Sequence, residues 1–279
     1  MPLVFLQKIK STVNFNTRIK NKRYDRLPVT DTKHISGIYV FSCKDLNPYQ
    51  PLFNDGQPSL IFMPRKSDTV FLHGQNAMKQ FSSVWVCCGV IENTYWEMAR
   101  EVEYILVVRF KPASFYSIFN IQPTTFDKKP IQCMYNLVDK QWKNVFDKMY
   151  EKPTATERAA FLSNTIAMSP VDENFPHILY DAMEYIDQRK GNTSVTEVLQ
   201  HIGKRVNSKW LYRNFMRFIG ISPKKYISLQ RFIFASTYYQ DPSTSKQSGV
   251  PVRWGYYDNN HFFKDFKKYI GATPSKLSV

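Results

Sequence analysis

Near its C-terminus the chain repeats one pattern of residues after a constant shift of 51 positions, and this repeat constrains the fold more than any other feature. Residues 207–225 align with residues 258–276. In each copy the apolar positions recur at i, i+4, i+7 and i+8, which places them on one side of a helix. A glycine and a Ser/Thr-Pro pair follow, so each copy predicts a short helix that stops at the glycine and precedes another helix. The apolar residues are Leu211, Phe215, Phe218 and Ile219, and Phe262, Phe266, Tyr269 and Ile270.

A short apolar stretch and a turn precede each copy, at residues 195–202 and at residues 250–254 followed by the turn 255–257. Asn207 and Asp258 occupy equivalent positions at the start of the repeated helix, and both residue types cap helix N-termini well. Helix, tight turn and basic helix make up the helix-turn-helix arrangement, whose second helix can enter a DNA major groove.

Between the copies, Ser222-Pro223 opens a stretch that predicts a single helix as far as Tyr239. About 16 residues at ~1.5 Å each give this helix a length of roughly 24 Å. With the widths of the flanking helices added, the two basic helices are expected about 34 Å apart, which is one turn of DNA, so that one chain reads two consecutive major grooves.

The positive charge is concentrated at the two ends of the chain. The net charge of the 279 residues is +15. Residues 204–279 hold 14 Lys/Arg and three acids, a net charge of +11, and residues 1–33 carry +6. The region 34–203 carries −2. The charge therefore indicates a polyanionic partner for the C-terminal region, whereas the basic arm 1–33 has no function assigned to it.

Upstream of the repeat the sequence predicts strands first and helices later. Strands rich in Val, Ile, Phe and Tyr are expected at 35–41, 59–63, 70–72, 83–91 and 103–110. Helices are expected at 114–119, 136–150 and 156–166, and from about Pro176 to a stop at Gly191. The predicted fold class is α+β: an N-terminal antiparallel β barrel or sandwich with trailing helices, and a C-terminal all-α domain of two helix-turn-helix units joined by a linker helix. The N-terminal domain is placed at 1–170, β-rich to about 112 and helical after, and the C-terminal helix-turn-helix domain at 171–279.

Residues 255–274, which read GYYDNNHFFKDFKKYIGATP, resemble the signature of the AraC/XylS family of transcription regulators. Residues 211–215 and 218–223 resemble the first recognition-helix region of the same family. The resemblance covers roughly 171–279, and the N-terminal half more weakly resembles the sheet-rich sensing domains of one subgroup, at 54–62, 88–90 and 107–113. It implies a cytoplasmic, sequence-specific regulator that binds promoter DNA through its C-terminal module and responds to an unknown signal through its N-terminal one.

Two features depart from the family pattern. The segment 203–206 makes the first turn about two residues longer than usual, and Pro251 replaces a small residue inside the first helix of the second unit. Proline removes a backbone donor and breaks a full-length helix. Either this helix is short, with Ser248 as its cap and Pro251 in its first turn, or the second unit docks poorly on DNA.

Family position and helical phase together indicate which side chains would contact DNA. Arginine binds guanine bidentately, asparagine suits adenine, and an exposed phenylalanine can contact a thymine methyl group. Lysines more often bind phosphate, which positions the protein without specifying sequence. The expected base contacts are Lys209, Tyr212, Arg213, Asn259, Asn260, Phe263 and Lys264. The expected phosphate contacts are Lys204, Arg205, Arg217, Lys267 and Lys268.

The sequence offers little to support catalysis or a cofactor. The five histidines are scattered, and neither a metal-ligand cluster, a glycine-rich phosphate loop nor a nucleophile with its base can be placed. We therefore expect no enzyme activity, no metal and no cofactor. Cys87 and Cys88 are interpreted as buried strand cysteines. Aromatic strands at 84–86 and 95–96 would either line a ligand cavity or form a packed core beside a dimer surface.

Two other interpretations remain open. One is a small-molecule-binding barrel enzyme with a helical tail, although an enzyme does not need two equivalent basic helices. The other is a regulator whose DNA binding is impaired by Pro251 and which acts through protein contacts. The partners expected are double-stranded promoter DNA and, for an activator, RNA polymerase, with a small-molecule effector and a homodimer left open. No apolar run is long enough to span a membrane, so no membrane partner is expected.

Overall fold

Two antiparallel sheets form the N-terminal half in a computed structural model that describes residues 3, 5–7, 24–30, 33–44, 47, 49–74, 78–98, 102–170, 175–203, 206–239 and 250–274. The strands are β1 Tyr24–Leu27, β2 Ile35–Ser42, β3 Tyr49–Pro51, β4 Ser59–Phe62, β5 Thr69–His73, β6 Met78–Ser82, β7 Val84–Cys87, β8 Tyr95–Met98, β9 Tyr104–Phe110 and β10 Ile131–Cys133. The larger sheet has the order β1-β2-β9-β4-β7-β10, and the smaller one β3-β8-β5-β6.

The larger sheet separates two hydrophobic cores, because successive side chains of a strand point to opposite faces. Its inner face, which includes Ile61, Trp85 and Val107, packs toward the smaller sheet. The Trp85 and Trp96 rings lie 5.7 Å apart between the two sheets. Phe5 stacks on Phe41 in the same core, with ring centroids 4.1 Å apart. The interior around the two tryptophans is therefore packed, which favours the packed-core interpretation over a ligand cavity at this place.

Three helices cover the outer face of the larger sheet. They are α1 Pro112–Ile118, α2 Lys140–Tyr150 and α3 Ala155–Ala167. Phe115, Phe146 and Leu162 belong to the core that they form with outer-face residues of the sheet. Asp139 and Thr154 cap α2 and α3 by accepting hydrogen bonds from backbone N–H groups of the first turn.

Six helices follow in the C-terminal half: α4 His177–Gln188, α5 Val195–Ile202, α6 Ser208–Phe218, α7 Pro223–Tyr239, α8 Val250–Arg253 and α9 Asn259–Ile270. The linker helix α7 is buried on several sides, whereas α4, α6 and α9 each bury one stripe. None of the helices that the structure describes is long and apolar enough to cross a membrane.

The two halves of the chain pack against each other along α7. The Phe53 ring lies 5.1 Å from the Phe232 ring of α7 and 5.4 Å from the Tyr269 ring of α9. The Gln230 amide donates a hydrogen bond to the backbone carbonyl of Asp55, 175 residues earlier in the chain. Gly56 has a positive φ of 97°, and a β-carbon there would press on the Tyr226 ring. The segment 53–56 is therefore the part of the N-terminal half against which α7 rests.

A buried ion pair holds this segment in place. One nitrogen of Arg109 on β9, Nη2, lies 2.8 Å from each carboxylate oxygen of Asp55 and 2.9 Å from Oε1 of Gln57. Both charged side chains are almost completely buried. Burial disfavours the Arg109 cation, but the Asp55 carboxylate outweighs this effect and raises the pKa of Arg109. The pair therefore depends on both partners.

The predicted fold class is confirmed, and most of the predicted elements are present. The strand expected at 83–91 ends at Cys87, and the helix expected at 136–150 begins at Lys140, after a 3₁₀ turn at Met134–Asn136. The sequence did not predict β1, β3, β6 or β10, whereas the aromatic strand expected at 95–96 is part of β8. Most of these are short and lie at or next to a sheet edge, so they lack a long apolar alternation. Residues 171–174 are outside the described residues, and the boundary at 170/171 stays a prediction.

Replacing Arg109 by methionine should leave the Asp55 carboxylate buried without its cation. We expect the free energy of unfolding of Arg109→Met to fall by about 3–5 kcal/mol. The double variant Arg109→Met/Asp55→Leu should recover most of this loss, because neither charge then remains buried. Urea denaturation followed by tryptophan fluorescence checks both values. A double variant no more stable than Arg109→Met would contradict this explanation.

Candidate nucleic-acid interface

The two helix-turn-helix units have turns of equal length. Helix α5 ends at Ile202 and α6 begins at Ser208, while α8 ends at Arg253 and α9 begins at Asn259. Both turns thus span five residues, 203–207 and 254–258, and the offset of 51 is kept throughout. The first turn, which departs from the family pattern, therefore matches the second turn of the same chain. Pro251 lies in α8, Val250–Arg253, directly after residues 240–249, which with Ser248 are outside the described residues, so the short-helix interpretation stays a prediction.

Local hydrogen bonds define both recognition helices as the sequence predicts. The side chains of Asn207 and Asp258 cap α6 and α9 by accepting from the backbone N–H of Trp210 and of His261. Gly220 and Gly271, with φ of 81° and 82°, adopt the positive φ that ends each helix. All eight predicted stripe residues are buried. The opposite faces of the two helices are consequently free for a ligand.

Most of the predicted base contacts lie on these exposed faces. Lys209, Tyr212 and Arg213 of α6 are exposed, as are Asn259, Asn260 and Lys264 of α9. Phe263 is different, because it is half-buried against the rings of Tyr239 and Phe262, at 5.9 and 5.8 Å. Its role at a thymine methyl group stays a prediction, with only part of the ring accessible.

The predicted phosphate contacts fall into three groups. Lys267 is exposed, and so is Arg217, whose guanidinium lies 5.0 Å from the Phe218 ring centroid. Lys268 is also exposed, but its ammonium lies 3.5 Å from the Glu92 carboxylate. Lys204 and Arg205 are outside the described residues.

Arg231 on α7 joins the two units. Its Nε donates to the Gly191 carbonyl at 3.0 Å and its Nη2 to the Thr193 carbonyl at 3.2 Å, in the turn between α4 and α5. Its guanidinium also lies 5.8 Å from the Tyr256 ring in the turn of the second unit. The Tyr256 hydroxyl lies 3.0 Å from the Asp265 carboxylate on α9. One arginine thus links the first unit, the linker helix and the second recognition helix.

Lys190 makes a second link at the same place. Its ammonium lies 4.6 Å from the Trp254 ring centroid, and 5.8 Å from the rings of Phe234 and Tyr238. Partial burial among these rings lowers the pKa of Lys190. The ammonium contacts the aromatic faces as a cation–π interaction. We refer to Lys190, Gly191, Thr193, Arg231, Trp254 and Tyr256 as the inter-unit hub.

A loop of the N-terminal half contacts the end of the second recognition helix. The backbone N–H of Asn93 donates to the Tyr269 carbonyl at 2.9 Å, in the last turn of α9. Glu92 beside it lies 3.2 Å from Lys225 at the start of α7, in addition to its contact with Lys268. The loop therefore satisfies a backbone acceptor at the helix end and holds two lysines of the basic half.

Sequence reasoning missed the inter-unit hub and this loop. Lys190, Arg231 and Glu92 look like ordinary surface charges in the sequence, and their partners lie between 25 and 176 positions away. The available signals were glycines, because a β-carbon would collide with the backbone of Arg231 at Gly191, with the Asn192 side chain at Gly255 and with the Asn93 side chain at Gly271. From the sequence alone, Gly191 indicates only a helix stop.

This region of the chain matches a known protein family. Residues 205–278 match a family model described as a helix-turn-helix domain. No curated protein matches the chain.

Solved structures resemble the chain weakly. ToxT from Vibrio cholerae O395 is 12% identical with a TM-score of 0.44, over 92% of this chain and 98% of that one. The unsaturated fatty acid bound wild-type ToxT from Vibrio cholerae strain SCE256 is 13% identical with a TM-score of 0.43, over 92% and 93% of the two chains. The AraC-like transcriptional activator CuxR is 12% identical with a TM-score of 0.24, over 76% and 86%.

The family match and the geometry coincide. Residues 205–278 include both recognition helices, their capping residues and the linker helix between them. The same residues carry the motifs that resemble the AraC/XylS signature. Residues 205–278 of this chain are therefore a helix-turn-helix domain.

Proposed function

We propose that the protein is a transcription regulator that reads two successive major grooves of promoter DNA with α6 and α9. The observation that carries this proposal is the pair of matched units, each with an exposed basic face, held together by the inter-unit hub. The 17 residues of α7 give a length of roughly 25 Å. Recognition helices on both sides of such a linker suit a separation near one DNA turn, about 34 Å.

Within this proposal the exposed residues of each recognition helix have distinct roles. Arg213, Asn259, Asn260 and Lys264 contact base edges, and Lys209 and Tyr212 extend the reading surface of α6. Arg217, Lys267 and Lys268 contact phosphates and set the register of each helix in its groove. Because only base contacts carry direct sequence information, the two groups should respond differently to mutation.

The N-terminal half transmits a signal in this proposal. It contacts the DNA-binding half at α7, through Phe53 and Asp55, and at the end of α9, through Glu92 and Asn93. A signal that altered these contacts would act directly on the linker and on the second recognition helix. RNA polymerase is the expected further partner of an activator, and a homodimer would place two such chains on one promoter.

Removing one base contact should reduce specific binding. We expect Arg213→Ala and Asn260→Ala each to weaken binding to the preferred DNA by about 1–3 kcal/mol, with a smaller change on random DNA. The preferred DNA is first selected from a random duplex library, and affinities are then measured by fluorescence anisotropy at one fixed salt concentration.

Lys148→Ala and Asn144→Ala serve as matched controls, because both side chains are exposed on α2, outside the helix-turn-helix units. They should bind the preferred DNA as the wild type does. Unchanged affinity of both Arg213→Ala and Asn260→Ala would contradict the assigned base contacts.

The inter-unit hub should make binding sensitive to the spacing of the two half-sites. Inserting two base pairs between them should cost the wild type about tenfold in affinity, because α6 and α9 are held at one separation. Arg231→Lys keeps the charge but lacks the fork that reaches two carbonyls. We expect this variant to tolerate the insertion, with a loss of about threefold or less.

Arg189→Lys is the matched control for Arg231→Lys, since Arg189 is exposed in the turn between α4 and α5, the turn that Arg231 contacts. It should keep the spacing preference of the wild type. If Arg231→Lys discriminates against the insertion as strongly as the wild type, the hub does not set the separation of the recognition helices.

Glu92 should compete with DNA for Lys268. Replacing Glu92 by glutamine frees the Lys268 ammonium for a phosphate, so Glu92→Gln should bind DNA about twofold to fivefold more tightly, as expected for the loss of an exposed ion pair. Glu97→Gln is the control, because Glu97 is an exposed carboxylate of the N-terminal half that pairs with His73 on the neighbouring strand. An equal gain in both variants would indicate a change in overall charge only.

A further inference from the structure

A groove of about 430 Å³ opens between β6 and β10, where an edge strand of the smaller sheet faces an edge strand of the larger one. Its apolar wall is formed by Leu72, Phe81, Pro130 and Ile131. A second cavity of about 390 Å³ shares Lys79, Phe81, Lys129 and Ile131 with the first. The two cavities are neighbours through these shared residues, and neither is lined by Trp85 or Trp96.

The strand register explains why this groove is apolar. Leu72 pairs with Trp96, and Phe81 pairs with Val70, so these side chains point to the inner face of the smaller sheet. Ile131 pairs with Cys87 on the inner face of the larger sheet. The groove therefore lies at the edge of the core between the two sheets, where Leu72 and Phe81 are buried and Pro130 and Ile131 are half-buried.

Positive charge surrounds this apolar wall. Lys79, Lys128 and Lys129 line the groove, are exposed and form no ion pair with any residue that the structure describes. The carboxylate that lines the same groove belongs to Glu92, which already has Lys225 and Lys268 as partners. Three ammonium groups around a concave apolar surface create a positive potential there.

Two buried indole groups lie behind the groove. The Nε1 atoms of Trp85 and Trp96 have no hydrogen-bond partner among the described residues. Trp96 is the register partner of Leu72, and the Trp85 ring lies 6.1 Å from the Phe81 ring. Buried donors without an acceptor are uncommon in proteins, and both indoles are completely buried behind the groove and do not form part of its lining.

We propose that this groove binds a small dianion, a phosphate monoester attached to a flat apolar body. The flat body suits the wall of Leu72, Phe81 and Ile131, and the volume lies in the range of small-molecule sites, about 300–1,000 Å³. A phosphate monoester carries about −1.5 to −2 charge at neutral pH, and lysine ammonium groups bind such a group as point charges. The three lysine ammonium groups carry more positive charge than one carboxylate would neutralise, which favours a dianion over a monoanion.

The groove adjoins the DNA-binding half through Glu92. We therefore assign the bound dianion the role of the effector in the function proposed above. The effector role rests on that proposed function, whereas the binding site does not. Binding itself is measured without DNA. If the protein binds the dianion without any change in its DNA affinity, the binding site is supported and the effector role is contradicted. If the protein binds DNA but not the dianion, the proposed function is supported and the binding site is contradicted.

The test uses three probes that share one ring system: 1-naphthyl phosphate, 1-naphthoate and 1-naphthol. We expect isothermal titration calorimetry of the full chain to give saturable binding in the order phosphate, carboxylate, alcohol, with about tenfold between the first and the last. Lys128→Gln/Lys129→Gln should weaken binding of 1-naphthyl phosphate about tenfold and leave 1-naphthol unchanged. Glu92→Gln should strengthen binding of 1-naphthyl phosphate about twofold, because it removes a like charge from the groove.

The control is Lys140→Gln/Lys148→Gln, which removes two exposed cations from α2, away from the groove. It should bind 1-naphthyl phosphate as the wild type does, and thermal unfolding confirms that every variant is folded. Three results would overturn the proposal: no saturable binding of 1-naphthyl phosphate, binding of 1-naphthoate or 1-naphthol as tight as that of the phosphate, or an equal loss in the control and the groove variants.

Discussion

The packing of α7 is the constraint on which the rest of the structure depends. Phe232 near its middle lies 5.1 Å from Phe53 of the N-terminal half and 4.9 and 5.6 Å from Tyr269 and Phe266 of α9. Arg231, the preceding residue, points to the turn between α4 and α5. One helix therefore contacts the first unit, the second unit and the sheets at once. These three surfaces therefore meet on a single element.

Polar contacts make this packing specific. Gln230 on α7 reaches the Asp55 carbonyl, and the Asp55 side chain is held by Arg109 inside the N-terminal half. Apolar packing alone would tolerate sliding of α7 over the sheets, whereas a buried donor and its acceptor permit one position, because an unsatisfied buried group is costly. The loop at Glu92 and Asn93 adds contacts at the end of α9. The N-terminal half thus contacts the helix-turn-helix half at two separate places, along α7 and at the end of α9.

Much of the DNA-binding half could be predicted from the sequence, because its signals are local. The caps Asn207 and Asp258 act within three residues, and Gly220 and Gly271 act on their own backbone. The N-terminal half was harder to predict. Strands such as β3 and β10 have three residues each, too few for a pattern, and they exist because a neighbouring strand offers backbone partners. The exposed faces of α6 and α9 were predictable, but the ion pair of Lys268 with Glu92 was not.

By itself the sequence determined the duplicated unit, its buried stripes, its caps and stops and the basic character of its outer faces, since these follow from helical periodicity and from residues close in the chain. Only the tertiary structure decided how the units are joined and what else touches them. Arg231, Lys190 and Glu92 act on partners that are distant in sequence, and the groove between β6 and β10 exists only where two sheet edges meet. Such contacts depend on how separate elements pack, which no local pattern encodes.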